Sequence, residues 1–259
     1  MKLPTMLAAA GLLLYGATFT LAAGEKKPAI DESSIIIEEV ADKAAPTATT
    51  PSLMGNSQST PLDPNLILGT LDRIVNLVDK VWTLIQKNQP VTSSKVNYAN
   101  AVPAGITHWT QLQGWSKPSV KRYEFSAKGL TGIKTVKVVY QVHWTHGGNY
   151  QGKGKYLTGV SVEPIKVSVP WGYSVDLSAA VPDSTVANVG TSEDPVASMQ
   201  VQLTWRIATA FKVVEEKAVY YLQGDGYIQE IGTPFARGKA AKQARLTKEL
   251  ERKAEAIKF

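Results

Sequence analysis

The stretch IKTVKVVYQVHWTH, Ile133 to His146, holds two of the chain's three histidines, His143 and His146, three residues apart. On a helix, imidazoles at that spacing can share a divalent cation or pass a proton. The residues between them argue for a strand instead. Val136, Val138, Tyr140, Val142 and Trp144 alternate with Lys137, Gln141, His143 and Thr145, and only Val139 breaks the alternation. Side chains three apart on a strand project in opposite directions. His143 is expected to face water. His146 is expected on the Trp144 side, at the strand end before Gly147 and Gly148. No shared metal site is expected, and His108 is too remote in sequence to be argued as a third ligand.

Other chemistry is equally sparse. The chain has no cysteine, which excludes thiolate nucleophiles, disulfides, Cys-based zinc sites and a lipid-modified cysteine anchor. No nucleophile elbow, phosphate loop or zinc-protease helix is present. GNYQGKGKY is Gly-rich but lacks a Lys-Ser/Thr ending, so it reads as a basic hairpin tip. Glu215 and Glu216 are adjacent and point apart on a strand. Glu163, Asp176, Asp194, Asp225 and Glu230 are scattered, and a hydrolase would need two of them to converge in a cleft. The expectation is a non-enzymatic protein without metal or cofactor.

Two features suit binding. Trp109, Trp115, Tyr150 and Trp171 lie in or near loops, where flat apolar rings beside polar groups suit sugars or a protein partner. The bland alternative is that they plug the ends of a sandwich. The second feature is the C-terminal tail, residues 236–259, in which eight Lys/Arg oppose three Glu. Arg237, Lys239, Lys242 and Arg245 lead it. Such a tail suits an anionic envelope polymer, anionic lipid or an acidic partner; nucleic acid is not expected of an exported chain.

Five segments must position these groups. Residues 1–23 read as a signal peptide: Lys2, an apolar run, then small residues before EKK, with an uncleaved anchor as the alternative. The expected destination is the periplasm, the cell surface or the medium, with no transmembrane span in the mature chain. Residues 24–61, rich in Pro, Ser, Thr and Ala, read as a flexible tether interrupted by DESSIIIEEV, a short strand, a docking peptide or a transient ordered spot.

In residues 62–90, Ile67, Leu71, Ile74, Val78, Val81 and Ile85 recur at alternating spacings of four and three. That heptad stripe predicts an amphipathic helix, started at Asp63–Pro64 and stopped by Pro90, that packs on its own domain or gathers several copies.

Residues 91–235 begin with a loop-rich connector and then switch to a period of two. SMQVQLTWRIATAFKV places Met199, Val201, Leu203, Trp205, Ile207, Phe211 and Val213 on one face, with Thr209 interrupting the series. GYSVDLSAAV, KYLTGVSV and IKVSV add strands, Pro164 marks a break or an edge, and VYYLQGDGYIQEI reads as a hairpin. The fold expected is an antiparallel β-sandwich, immunoglobulin-like or jelly-roll, followed by a basic C-terminal helix. The function expected is an envelope or surface structural protein acting through protein–protein contact or self-association. Glycan binding by the loop aromatics is the alternative, and a paired-carboxylate hydrolase the third reading.

Overall fold

The alternation around the histidines builds the longest of the described strands. A computed structural model describes residues 29–41, 69–78, 80–91, 97–106 and 109–257. Within it β7 (Lys134–Tyr150) buries Val136, Val138, Tyr140, Val142 and Trp144 on one face. It pairs on both sides, with β6 (Ser119–Gly129) and β8 (Lys153–Ser168). Beyond them lie β1 (Ile30–Glu39), β5 (Ala99–Pro103) and the two-residue β2 (Ile74–Val75). The resulting six-stranded sheet has the order β1-β6-β7-β8-β5-β2. Pro164 lies inside β8, paired with Tyr140 beside a bulge at Ile165, rather than ending the strand. There β8 has passed the end of its pairing with β5, which covers Leu157 to Val160, so no ladder donor is demanded of the proline.

The second sheet contains β3 (Val81–Gln86), β4 (Gln89–Pro90), β9 (Tyr173–Ala180), β11 (Ala197–Thr209), β12 (Val213–Gln223) and β13 (Ile228–Ile231) in the order β13-β12-β11-β9-β3-β4, with β10 (Ala187–Asn188) paired to β11. All strand pairs in the ladders are antiparallel. The inner faces of the two sheets meet in one core. Phe125 stacks on Trp205 with ring centroids 4.1 Å apart, and the Tyr140 and Tyr220 hydroxyls hydrogen-bond at 2.5 Å. The architecture is therefore a mainly β, two-sheet sandwich-like body with a single described helix, α1 (Thr233–Ile257).

Three expectations are corrected. First, the heptad stripe is not a helix where it is described. Leu71 is buried in a turn, Ile74 in β2, and Trp82, Leu84 and Ile85 in β3, whereas Val78 sits in a bend and Val81 is 72% exposed. Ile67 lies outside the described residues. Tertiary pairing overrides the helical period: the Asn76 side chain accepts the Asn100 N–H and the strands zip onto β5 and β9. Second, the tether contains real structure. DESSIIIEE is β1, with Ile35 and Ile37 fully buried. Third, SMQVQLTWRIATAFKV is not one strand. Thr209 Oγ1 accepts the N–H groups of Phe211 and Lys212, so the chain turns there and leaves Phe211 63% exposed and Val213 48% exposed.

Helix α1 shields the open edge of the six-stranded sheet. At Gly238 its backbone crosses β1 so closely that any side chain would collide with the Ile37 carbonyl. Past Ala241 the packing stops: every residue from Lys242 to Ala256 is exposed. No described helix is long and apolar enough to cross a membrane.

Candidate functional site

The strand register divides the chemistry between two ends of the sandwich. At one end lie the β7–β8 hairpin, the β12–β13 turn, the loop before β11 and residues 113–116. These are tied together by Gly147 N–H to Gly224 O at 2.8 Å, Lys155 N–H to Pro195 O at 2.8 Å and Ser116 N–H to His146 O at 2.9 Å. Between them is a cleft of about 350 Å³ lined by His146, Asn149, Lys155, Asp194, Asp225 and glycine backbone. The polar side chains mostly hold their own loops. Asp194 accepts the Gly154 N–H, Asn149 the Gly152 N–H and Asp225 the Tyr227 N–H, each at 2.9–3.0 Å. The His146 ring lies over Gly226, where a Cβ would approach it to 2.7 Å.

His143 belongs to the other face of β7. Its Nε2 is 3.2 Å from a Glu163 carboxylate oxygen, and Gln141 donates to the same oxygen at 3.2 Å. The neighbouring His143 ring holds the Glu163 carboxyl below its usual range, against the opposing effect of partial burial. The two histidines thus look opposite ways along β7, as the alternation predicts, and His108 lies outside the described residues. Among the described residues no three His, Asp or Glu side chains are grouped to hold a metal ion.

The four aromatic candidates do not form one platform. Trp115 is half-buried, its ring seated on the bare Cα of Gly148, and its indole N–H has no partner. Tyr150 is a core residue, 7% exposed, because it continues the inward series of β7; its assignment to a binding surface is corrected. Trp109 starts a short 3-10 turn. Trp171 is 92% exposed, but it follows β8 where Ser168 pairs with Lys137, at the far end of the sandwich. The eleven residue steps of β7 from Lys137 to Gly148 span about 35 Å at strand rise.

One feature escaped the sequence reading. Glu230 is 6% exposed and neither carboxylate oxygen has a hydrogen-bond partner. It pairs in register with Tyr220 on the inner face, close to Tyr123 and Tyr140, and burial pushes its carboxyl up to about 8. Its alternation with Ile228 was a signal available in the sequence. The basic tail expected from the sequence is the free half of α1. Arg237 at its root pairs with Glu216 at 2.9 Å, whereas Lys242, Arg245, Lys248, Leu246 and Leu250 stand clear of the body.

The fold and these surfaces define a two-sheet β-rich body with a projecting basic helix, a polar cleft at one end and apolar loop tips at the other. No family model, curated protein or solved structure matches the chain.

Proposed function

We propose that the chain is an exported, non-enzymatic structural or assembly protein of the cell envelope or surface, using its β-sandwich as a platform for protein–protein contact and α1 to pair two copies. The observation that carries this reading is the exposure of α1 from Lys242 to Ala256. Helices of this length are marginal in water and are ordinarily held by an apolar face packed on a partner. Here the face is the line Leu246, Leu250 and, by sequence, Ile257.

Charge favours a second copy laid antiparallel. Residues 242–248 carry Lys242, Arg245 and Lys248 with no acid, while residues 249–257 carry Glu249, Glu251 and Glu255 against Arg252 and Lys253, the last paired with Glu249 in its own helix. Antiparallel pairing sets the basic half of one helix against the glutamates of the other, in a two-fold interface of the commonest kind. Static light scattering of the full chain at tens of micromolar, beside a chain ending at Ala241, tests this. A dimer that becomes a monomer on truncation supports it; a monomer in both, or unchanged assembly, rejects it.

The export half of the reading rests on residues 1–23 as a signal peptide. The finer fold type, immunoglobulin-like or jelly-roll, is part of the proposal; the meanders β6-β7-β8 and β11-β12-β13 support a hairpin-built platform.

The cleft beside His146 favours glycan binding as a second reading. Asp194, Asp225, Asn149 and His146 offer hydroxyl-recognising groups in one place. Retention on peptidoglycan or polysaccharide, lost in H146A and N149A, supports it; retention unchanged by both removes it.

A further inference from the structure

The end of the sandwich opposite the cleft gathers exposed apolar side chains from three separate loop tips. Leu130 (74% exposed) and Ile133 (69%) stand on the β6–β7 turn. Trp171 (92%) stands on the β8–β9 loop, and Phe211 (63%) on the β11–β12 turn with Val213 beside it. Contacts across the loops fix them at one end. Leu130 N–H donates to Ala29 O at 3.3 Å and the Tyr173 hydroxyl to the same oxygen at 3.4 Å. Lys212 pairs with Glu32 at 2.5 Å, and the Asn88 amide donates to Tyr173 O at 2.9 Å.

We propose that this apolar crown docks on an anionic lipid bilayer, inserting Leu130, Trp171 and Phe211 at the level of the headgroups. Three observations choose a bilayer over a protein groove. The apolar groups sit on distinct projecting turns rather than on one continuous face, which suits penetration of a soft surface. Large apolar residues with a tryptophan among them are the side chains that settle at a membrane interface. Lysines surround them: Lys87, Lys128, Lys134 and Lys212, with Asp31, Glu32, Glu124 and Asp176 as the acids nearby, and lysines beside a membrane surface are drawn to anionic lipid.

The point of chain entry agrees. Ile30 pairs with Gly129 at this same end, so the uncharged apolar run of residues 3–24 joins the body within six residues of the crown. A chain held at a bilayer by that run, during export or afterwards, is brought to it crown first. The inference stands apart from the pairing of α1, which it does not use.

The cysteine-free sequence permits the test. L130C, F211C and, at the cleft end, S192C are each made in the full chain and labelled with an environment-sensitive fluorophore. They are mixed with vesicles of phosphatidylethanolamine and phosphatidylglycerol. The proposal expects the labels at positions 130 and 211 to shift to shorter wavelength and lose most of their emission to a quencher placed on the lipid chains, while the label at 192 keeps its aqueous spectrum. Water-like spectra at 130 and 211 while the chain co-sediments with vesicles mean that the leader alone anchors it, and overturn the proposal. So does failure to co-sediment, and so do lipid-independent shifts that follow protein concentration, which assign the crown to a protein contact.

Discussion

The indole of Trp205 in β11 lies flat on the ring of Phe125 in β6, 4.1 Å between centroids and 9° between planes, each residue reaching from its own sheet. Both are fully buried. This contact joins the sheets at mid-strand, so Phe125→Ala leaves a cavity that neither sheet closes without moving. Urea denaturation is expected to show a loss of about 3–5 kcal/mol, the range for large aromatic truncations in cores. A loss under about 1 kcal/mol contradicts this placement of the two sheets.

Glu230 makes stability depend on pH. In the folded chain burial raises its carboxyl from 4.5 to about 8. Between those values the folded state keeps a proton that the unfolded state releases, so stability falls as pH rises through that window and then levels off. Glu230→Gln, the isostere of the neutral acid, removes the slope. Thermal unfolding of parent and variant is expected to coincide near pH 4 and to separate by pH 8, with the variant more stable by about 1–3 kcal/mol, the cost of an unsatisfied buried group. A parent that is the more stable at pH 8 contradicts the buried, unpartnered carboxylate.

Glu163 has the opposite sign and a small effect. The His143 ring holds its carboxyl below the ordinary value, so the contribution is complete above the usual carboxylate range and fades as pH falls through the folded value. Glu163 is half exposed, so E163Q is expected to change stability by less than about 1 kcal/mol at neutral pH. A loss of several kcal/mol at neutral pH in urea titrations means the pair is more deeply buried than this.

Gly148 exists for Trp115. Any side chain there overlaps the indole, so Gly148→Ala displaces the ring into water. Tryptophan emission is expected to shift to longer wavelength, with a stability loss of about 1–3 kcal/mol for overpacking. Unchanged emission in the variant contradicts the contact.

Strand regions were the most readable part of the sequence, because a half-buried strand repeats every two residues wherever it lies. The inward series of β7 and of β9 follow that period, with Val139 the apolar exception in β7. What misled was spacing with two meanings. Leu71, Ile74, Val81 and Ile85 fit a helical face, yet they serve a turn, two strands and one exposed position, because the partners that decide between these outcomes, β5 and β9, are distant in sequence.

Thr209 breaks the apolar series in the sequence, but only the fold shows its hydroxyl capping the following turn, which puts Phe211 outside rather than on the inward face. The cleft and the crown were not legible at all. Each is assembled from turns far apart in the chain, and only the register of β7 with β8 shows that Trp115 and Trp171 stand at opposite ends.

On the proposed function, the free half of α1 holds two copies together. Light scattering of the full chain at tens of micromolar measures it directly, with a chain ending at Ala241 run beside it. Twice the chain mass of 28.0 kDa is expected for the first and a single truncated chain for the second. A full chain that scatters as one copy, or a pair that survives the truncation, contradicts it.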